Sequence, residues 1–501
     1  MIGIKISKIK KQYLGGAFFS YCTIAFSIIS GLVYTPWMIK TIGSAQYALY
    51  TLALSIINTF VVDFGLGGAV SKFLSEYYAK GEEKEANEFI GKVLYVFLII
   101  AIFIAIFLMV FYFVIDGIYT KLTMEELKVF KRLYLIVSFY SVITIVFTPF
   151  NGILIANEKF IELKLCNFSQ NVLNVTLIVL CLFMGGDVYS LVFINAIINI
   201  ITIGVKYFII KCKTNAKISF TNNFSGYLKR LINFSVYSTI NSVAQRCIFN
   251  IMPTIIAATI SAEKVTIFYL ASSLEGYFYT FTQAINGMFL PKISRIYEHD
   301  ENKNELFVLM CKVGKFHVYT IGILYIGFIC IGKQFIELWM GTNFSEIYMC
   351  AILLILPSII DTPQQVARTS LIVKEILREQ SIVYMGMALI NVALSLILLK
   401  KIGIIGAAIS VCIAYLFRTI GFNILYRKYL SINIKAYFVE VYGKWLIVAI
   451  ATMLIGINII APLEIEGWIG ILSKAILISI VYGICAMLVK NFITIYEKIN
   501  Q

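Results

Sequence analysis

Long apolar stretches alternate with short charged loops along this chain of 501 residues. Each stretch is about 20 residues long, which is the length that an α-helix needs to cross the hydrocarbon core of a bilayer. The pattern predicts an all-α polytopic membrane protein with about 14 transmembrane helices. The predicted spans are residues 14–39, 47–70, 89–115, 130–155, 165–184, 188–210, 231–260, 265–290, 313–331, 347–373, 381–399, 403–426, 437–460 and 467–489.

Composition and charge agree with this class. Hydrophobic residues make up 60% of the chain, charged residues only 14%, and the mean hydropathy is +0.87, far from the range of soluble proteins. A net charge of +15 could indicate a nucleic-acid partner, but the basic residues fall in alternate loops, so none is predicted. About 28 Lys and Arg lie on one side and about 9 on the other, which places both termini in the cytoplasm. The exception is the outer loop at 116–132, which carries several basic residues.

The spacing of the spans predicts five segments. Residues 1–13 form a basic, amphipathic start suited to a lipid surface. Six helices at 14–211 form an N-lobe, a cytoplasmic linker occupies 212–230, and six helices at 231–428 form a C-lobe. Two additional helices occupy 429–501.

A weak internal repeat relates the two lobes. A shift of about 220 residues aligns Gly67 with Gly287 and Lys72 with Lys292. The same shift brings Ser55 to Glu275 and Asp63 to Gln283, and a shift of about 217 aligns Asn174 with Asn391. Because each half has an even number of helices, the repeat predicts a parallel pseudo-two-fold axis along the membrane normal.

One polar face in the second span is the first candidate site. Thr51, Ser55, Thr59 and Asp63 stand four residues apart, which puts them on one side of a helix. A carboxylate at this depth costs about 2.5–3.5 kcal/mol on insertion scales, so Asp63 should face protein or water. The turn at residues 42–44 and a charged, helical loop bound this span.

The seventh span carries a similar stripe around an arginine. Ser238, Ser242, Arg246 and Asn250 follow one another at four-residue spacing, and Pro253 frees a backbone carbonyl nearby. A guanidinium keeps its charge and offers a fork of donors that suits phosphate. Arg246 is therefore a candidate substrate ligand, with a structural ion pair to Asp63 or Glu275 as the alternative.

Two further groups lie in the second half. Glu275, Tyr279 and Gln283 form the corresponding stripe on the eighth span. Asp361 and Arg368 lie near the end of the tenth span, between prolines and the following loop. The Asp361–Arg368 pair is open to two interpretations, a gate or a local helix-stabilising pair.

The other intramembrane polar residues favour structural roles. Lys206 and Arg418 are expected to extend to the cytoplasmic surface, and Lys474 to mark a helix that packs against others. The asparagines are expected to join helices: Asn58, Asn171, Asn174, Asn195, Asn199 and Asn391. No nucleotide-binding, metal-protease or serine-hydrolase motif occurs, so no enzyme activity, cofactor or metal site is predicted.

The chain resembles the oligosaccharide-lipid flippases. These are the polysaccharide transporter or O-antigen flippase family of the multidrug/oligosaccharidyl-lipid/polysaccharide exporter superfamily. The stretches that carry the resemblance are IGSAQYALYTLALSIINTFVVDFGLGGAVSKFLSE, ANEKF and NVALSLILLKKIGIIGAAISVCIAY. The fold that this resemblance implies is two six-helix lobes around a central cavity, working by alternating access. Fourteen spans are similar to the flippase branch, which has two added C-terminal helices.

The resemblance also implies a substrate and a setting. The substrate would be an oligosaccharide repeat unit on undecaprenyl pyrophosphate (O-antigen, capsule or similar), moved across a bacterial cytoplasmic (inner) membrane. Arg246 would hold the pyrophosphate, with Asn250 and Tyr279 in the same cavity and Gln283 beside them. The other predicted roles are sugar contacts by Thr51, Ser55, Thr59 and Ser242, and uptake of a coupling cation, H⁺ or Na⁺, by Asp63 and Glu275. Membrane lipid and the polysaccharide polymerase machinery are the other expected partners.

Three alternatives stay open at this stage. The chain could move a related lipid-linked cell-wall precursor, or export drugs in exchange for a cation. The third is an integral membrane glycan polymerase or ligase. Such an enzyme would be expected to have a large external loop, and this chain has no long loop.

Overall fold

The computed structural model describes the backbone of residues 2–60, 66–219, 239–246, 248–286 and 303–499, and every regular element in these ranges is helical. The all-α prediction is confirmed. The chain forms two compact units, Met1–Thr266 and Ile267–Gln501. The predicted lobe boundary at residue 231 stays a prediction.

The first unit contains most of the predicted N-lobe helices. Residues 239–246 and 248–249 are helical as well, and lie between the last two of its labelled elements. The labelled helices are α1 (Ile2–Ile42), α2 (Ser44–Phe60), α3 (Leu66–Lys80), α4 (Glu83–Ile118), α5 (Met124–Phe147), α6 (Pro149–Ala156), α7 (Phe160–Phe183), α8 (Val188–Lys213) and α9 (Ile251–Thr259).

The second unit begins within α10 (Ala262–Asn286). Two short 3₁₀ turns (Thr342–Phe344 and Thr362–Gln364) and a π-helical turn (Gly456–Ile460) also occur in this unit. Its other α-helices are α11 (Lys303–Met340), α12 (Glu346–Asp361), α13 (Gln365–Val373), α14 (Leu377–Ile402), α15 (Ile404–Leu430), α16 (Ile434–Ile455) and α17 (Gly467–Ile499).

Eleven helical stretches in the described ranges are long and apolar enough to cross a membrane. They correspond to eleven of the predicted spans, so the chain is a multi-pass membrane protein. The other three predicted spans, at 47–70, 231–260 and 265–290, each include residues outside the described ranges. The basic segment at 1–13 continues directly into the first span, because α1 runs unbroken from Ile2.

Glycine and proline positions explain where the helices break. Gly43 has a φ of 89°, a left-handed conformation that side chains with a Cβ rarely adopt, and it ends α1 at the predicted turn. Pro149 begins α6 directly after α5, so the fourth predicted span consists of two helices. Pro363 lies in the 3₁₀ turn between α12 and α13, so the tenth is interrupted as well.

Polar side chains join helices in the first unit as predicted. The Asn174 side-chain amide on α7 donates to the Asn195 carbonyl oxygen on α8 over 2.6 Å. The Asn195 amide donates in turn to the hydroxyl of Tyr50 on α2 over 2.8 Å. Gln170 and Asn199 form a second bond between α7 and α8. These bonds give the side-chain N–H donors of Gln170, Asn174 and Asn195 acceptors that lipid could not supply.

The last two helices pack onto α11 in the second unit. The Trp445 indole N–H on α16 donates to the Tyr482 hydroxyl on α17 over 2.9 Å, and that hydroxyl donates to the Tyr319 carbonyl over 3.0 Å. Lys474, 3% exposed, donates to Gln334 of α11 and to the Ala461 carbonyl. The prediction that Lys474 marks a packed helix is confirmed.

The loop at 116–132, which breaks the predicted positive-inside pattern, contains its own counter-charge. Lys131 forms an ion pair with Asp116 and lies over the Tyr112 ring. Thr123 caps α5 by accepting from the Glu126 backbone N–H, while the Glu126 carboxylate accepts from the Thr123 N–H. The negative charge of Asp116 offsets one of the positive charges in this loop.

Candidate functional site

A buried charge cluster lies in the second unit, where α12, α13 and α15 meet. Asp361 ends α12 and receives two arginines, one on each carboxylate oxygen. Arg368 of α13 donates to Oδ1, and Arg418 of α15 contacts Oδ2 over 2.7 Å. Asp361, Arg368 and Arg418 are 2%, 7% and 4% exposed. Charges this deep are tolerated only when they are paired, and here the pairing is complete for the carboxylate.

Aromatic rings surround the two guanidinium groups. The Arg418 guanidinium carbon lies 4.2 Å from the Tyr415 ring centroid, and that of Arg368 lies 5.2 Å from the Phe422 ring centroid. Tyr415, Arg418 and Phe422 are three and four residues apart on α15, so they share one face. The quadrupole of each ring face attracts the cation and replaces part of the water that burial removed.

A proline and a tyrosine set the local backbone. Pro363 has no N–H to donate to the Ile359 carbonyl four residues earlier. The Tyr442 hydroxyl on α16 donates to that carbonyl over 3.0 Å and also lies 3.3 Å from the Ile360 carbonyl. The tyrosine therefore stabilises the turn that brings Arg368 to Asp361.

Glu275 of α10 lies beside this cluster. It is 6% exposed and accepts a hydrogen bond from the Ser358 hydroxyl over 3.0 Å. Ser358 precedes Asp361 by three residues on α12, so Glu275 contacts α12 about one helical turn before Asp361. Among the described residues Glu275 has no ion-pair partner, whereas Asp361 has two.

The other two members of the Glu275 stripe are less defined. Tyr279 is half-buried, one helical turn after Glu275 on α10. Gln283 lies on the same helix, but its side chain is outside the part of the chain that the structure describes.

Two predictions about basic residues are corrected here. Arg418 does not extend to the cytoplasmic surface, because its guanidinium is buried and paired with Asp361. Lys206 donates to the Asn151 side-chain oxygen on α6 over 3.0 Å, so it connects helices and is not simply directed to water. The Asp361–Arg368 pair exists as predicted, and its assignment as a gate stays a prediction.

Sequence reasoning missed the third charge and its supports. Arg418 lies 57 positions after Asp361, and no local spacing connects residues that far apart. A usable signal was the aromatic at Tyr415, three residues before Arg418, because that spacing offers a buried cation a ring face. Ser358 and Tyr442 gave no such signal.

In the first unit, Arg246 connects the predicted seventh span to α2. Its Nη1 donates to the Asn58 backbone carbonyl over 2.9 Å, next to Thr59 in sequence. Arg246 is half-buried, as is Ser242 one turn earlier. The chain bends at Asn250, and α9, which contains Pro253, begins at the next residue; the freed carbonyl stays a prediction. Ser238 and Asp63 lie outside the described residues.

The hydroxyl face of α2 is buried. Thr51, Ser55 and Thr59 are 0%, 5% and 7% exposed. The Thr51 hydroxyl donates to the Ala48 carbonyl over 3.0 Å, and the Thr59 hydroxyl to the Ser55 carbonyl over 2.9 Å. These bonds satisfy the hydroxyls within the helix itself. Their predicted contact with sugar stays a prediction.

The chain is similar to a known protein family and to several solved structures. Residues 15–297 match the family described as "Polysaccharide biosynthesis protein". The lipid II flippase MurJ, in an inward closed conformation, is 17% identical with a TM-score of 0.69, and the match covers 98% of this chain and 100% of that one. An inward-facing multidrug resistance MATE family transporter of the MOP superfamily is 14% identical with a TM-score of 0.68, covering 78% of this chain and 91% of that one. A comparison with curated proteins gives no match.

A third solved structure has a similar fold. A MOP superfamily transporter from Pyrococcus furiosus is 13% identical with a TM-score of 0.62, covering 84% of this chain and 96% of that one. The fold is therefore that of the MOP-superfamily transporters and flippases. Since the family match includes more than half of its residues, the chain belongs to the polysaccharide biosynthesis protein family.

Proposed function

We propose that the chain is a flippase that moves undecaprenyl-pyrophosphate-linked oligosaccharide repeat units across the cytoplasmic membrane of a bacterium by alternating access. The observation that carries the proposal is its membership of the polysaccharide biosynthesis family together with the MOP fold. The repeat unit would belong to an O-antigen, a capsule or a similar polysaccharide. Both termini would lie in the cytoplasm, where most loop lysines and arginines collect.

Arg246 is the residue proposed to hold the pyrophosphate. Its bond to the Asn58 carbonyl orients the guanidinium beside α2, and its side chain is only half-buried. A guanidinium carries donors in a fixed fork that matches phosphate oxygens. Ser242 and Asn250 lie four residues before and four residues after this arginine along the chain. Hydroxyl and amide groups at these positions suit the sugar end of the same substrate.

Glu275 is the residue proposed to take up a coupling proton or sodium ion. Both oxygens of Asp361 are occupied by arginines, so that carboxylate has little capacity for a further cation. Glu275 is bound by a neutral hydroxyl, which tolerates either charge state of the carboxyl group. Asp63 would be its counterpart in the first unit.

The charge cluster itself is proposed as a gate. The Nε donors of Arg368 and Arg418 have no hydrogen-bond partner among the described residues. A buried donor without a partner costs about 1–3 kcal/mol, so a second arrangement that satisfies both donors can be close in free energy. Binding or release of a cation at Glu275 changes the charge next to Ser358, on the turn of α12 that leads to Asp361, and would shift this equilibrium.

A flippase for a related lipid-linked cell-wall precursor is the second candidate. The lipid II flippase match extends over 98% of this chain, whereas the multidrug transporter covers 78%. The chain continues after its predicted twelfth span with two further helices, α16 and α17. Full-length similarity favours a lipid-linked substrate over a free drug molecule, so a cation-coupled multidrug exporter comes third.

Complementation tests the proposal. A host that lacks its own oligosaccharide flippase would receive the wild-type chain, Arg246→Ala, or the control Arg378→Ala, which changes an exposed arginine. The wild type and the control should restore surface glycan and remove the lipid-linked units that accumulate inside, whereas Arg246→Ala should not. Restoration by Arg246→Ala at equal expression would remove the arginine from the proposed site. Restoration of lipid II transport, but not of surface glycan, would favour the second candidate.

A further inference from the structure

A cavity of about 660 Å³ lies in the first unit, at the end of the bundle that carries the linker. Three helices line it, α4, α6 and α8, and the start of the linker, residues 214–218, lines it too. Its volume is within the range of small-molecule sites. None of the residues assigned above to substrate, coupling ion or gate lines it.

The cavity changes from polar to apolar with depth. Lys211 lies in the last turn of α8 and Thr214 directly follows that helix, whereas Tyr207 and Ile210 lie further in along α8. Tyr207 and Thr214 are seven residues apart, which is about 10 Å along a helix. On α4 the order runs the same way, from Glu83 at the first turn to Ile90 two turns later. A molecule with a polar head and an apolar tail matches both walls.

The linker closes the polar end. The Lys217 backbone N–H donates to the Asn87 side-chain oxygen on α4 over 2.7 Å, and the Ser219 N–H donates to the Asn87 carbonyl over 3.3 Å. These bonds hold the segment from α8 across to α4 and place Lys217 in the lining. The cavity therefore has a defined boundary.

The apolar wall combines buried and exposed side chains. The Phe150 and Tyr207 rings stack with centroids 6.1 Å apart; Phe150 and Ile153 of α6 are each 2% exposed, whereas Tyr207 of α8 is 47% exposed. Contact with an acyl chain would not bury a polar group of this wall without a hydrogen-bond partner, apart from the Tyr207 hydroxyl.

The charges in the lining favour an anion. Lys211 and Lys217 contribute two positive charges and Glu83 one negative charge, so the lining carries +1. A single phosphodiester balances it. Lysines next to an anionic membrane surface attract such groups.

We propose that this cavity binds the phosphodiester head and the upper acyl chain of one anionic phospholipid from the adjacent leaflet. The phosphate lies between Lys211 and Lys217, and the acyl chain extends along Ile153 and Tyr207. Because residues 214–218, which follow α8 within the first unit, line the site, an occupied cavity fixes this segment to α4. The proposal concerns lipid binding and does not depend on the transported substrate.

Native mass spectrometry of the purified full-length chain in detergent tests the site, with phosphatidylglycerol as probe and phosphatidylcholine as the neutral reference. Wild type should retain phosphatidylglycerol preferentially. The double variant Lys211→Gln/Lys217→Gln should bind it about 30-fold more weakly. Glu83→Gln, which removes the negative charge, should bind it about fivefold more tightly. The control Lys428→Gln/Lys435→Gln removes two lysines of the second unit outside the cavity and should bind as wild type does.

Two further arms decide the ligand class and the location. Soluble glycerol 3-phosphate should compete poorly, because it lacks the chain that contacts the apolar wall. Competition equal to that of the phospholipid would overturn the membrane source. Ile153→Trp fills the cavity without altering its charge and should also weaken phosphatidylglycerol binding. Wild-type binding by the Lys211/Lys217 double variant, or by Ile153→Trp, would overturn the site.

Discussion

Replacing Asp361 with Asn tests the energetics of the charge cluster most sharply. Among the described residues, Asp361 is the one carboxylate that forms ion pairs with both buried guanidinium groups, so its loss leaves Arg368 and Arg418 without an ion-pair partner. Breaking a buried ion pair from one side costs about 3–5 kcal/mol, because the remaining charge stays desolvated. With both arginines affected, we expect Asp361→Asn to lower the free energy of unfolding by at least that amount.

Arg418→Gln should cost less than Asp361→Asn. It leaves Asp361 paired with Arg368 and the cluster locally neutral, so the loss is that of one charge-assisted hydrogen bond, about 1.5–3 kcal/mol. In the double variant Asp361→Asn/Arg418→Gln only Arg368 stays uncompensated. Its cost should therefore be below the sum of the single costs by about 1.5–3 kcal/mol.

The assay is the free energy of unfolding in mixed micelles, measured by titration with sodium dodecyl sulfate. Asp116→Asn is the matched control, because Asp116 forms an ion pair with Lys131 whose side chains are 56% and 22% exposed. An exposed pair contributes about 0–1 kcal/mol. If Asp361→Asn costs no more than Asp116→Asn, or if the double variant is additive, the reasoning about burial and pairing is refuted.

Three further changes test other parts of the fold by the same unfolding titration. Gly322→Val would place a Cβ 2.5 Å from the Trp445 indole nitrogen, so it should cost about 1–3 kcal/mol, whereas an effect below 0.5 kcal/mol would contradict the close contact of α11 with α16. Lys474→Met removes a buried cation but also its two hydrogen bonds. It should stay within about 1.5 kcal/mol of wild type if those bonds merely offset the burial cost, and a larger loss would show that the lysine stabilises the fold. Thr123→Ala removes the cap of α5 and should cost about 1 kcal/mol, with Thr123→Ser as the conservative control that keeps the hydroxyl.

The span pattern predicted most of the fold because the bilayer imposes it. Backbone groups in lipid must bond within a helix, so about 20 apolar residues in a row leave few alternatives. The turn at Gly43 and the joining role of Asn174 and Asn195 were also predictable, since one depends on backbone conformation and the other on unsatisfied amides in lipid. The helix break at Pro149 inside the fourth span was not predicted, because a proline within an apolar run can either kink one helix or end it.

The site was predicted less completely, because it depends on contacts distant in sequence. The Asp361–Arg368 pair lies within seven residues and was visible as a pair. Arg418 was misassigned to the membrane surface, because the long side chain of a basic residue within a span can either extend to the surface or be buried against a counter-charge. The Tyr442 hydroxyl that replaces the hydrogen bond missing at Pro363 comes from a helix about 80 residues later, and no sequence spacing indicates such a partner.

Direct transport in proteoliposomes tests the central claim. The purified chain would be reconstituted with a fluorescent oligosaccharide on undecaprenyl pyrophosphate, and a membrane-impermeant reductant added outside. With wild-type protein the reductant should quench the inner-leaflet pool as well as the outer one, because the substrate crosses, and Arg378→Ala should behave in the same way. Arg246→Ala should leave the inner pool protected, as in protein-free vesicles. Protection of the inner pool by correctly folded wild-type protein would contradict the flippase assignment.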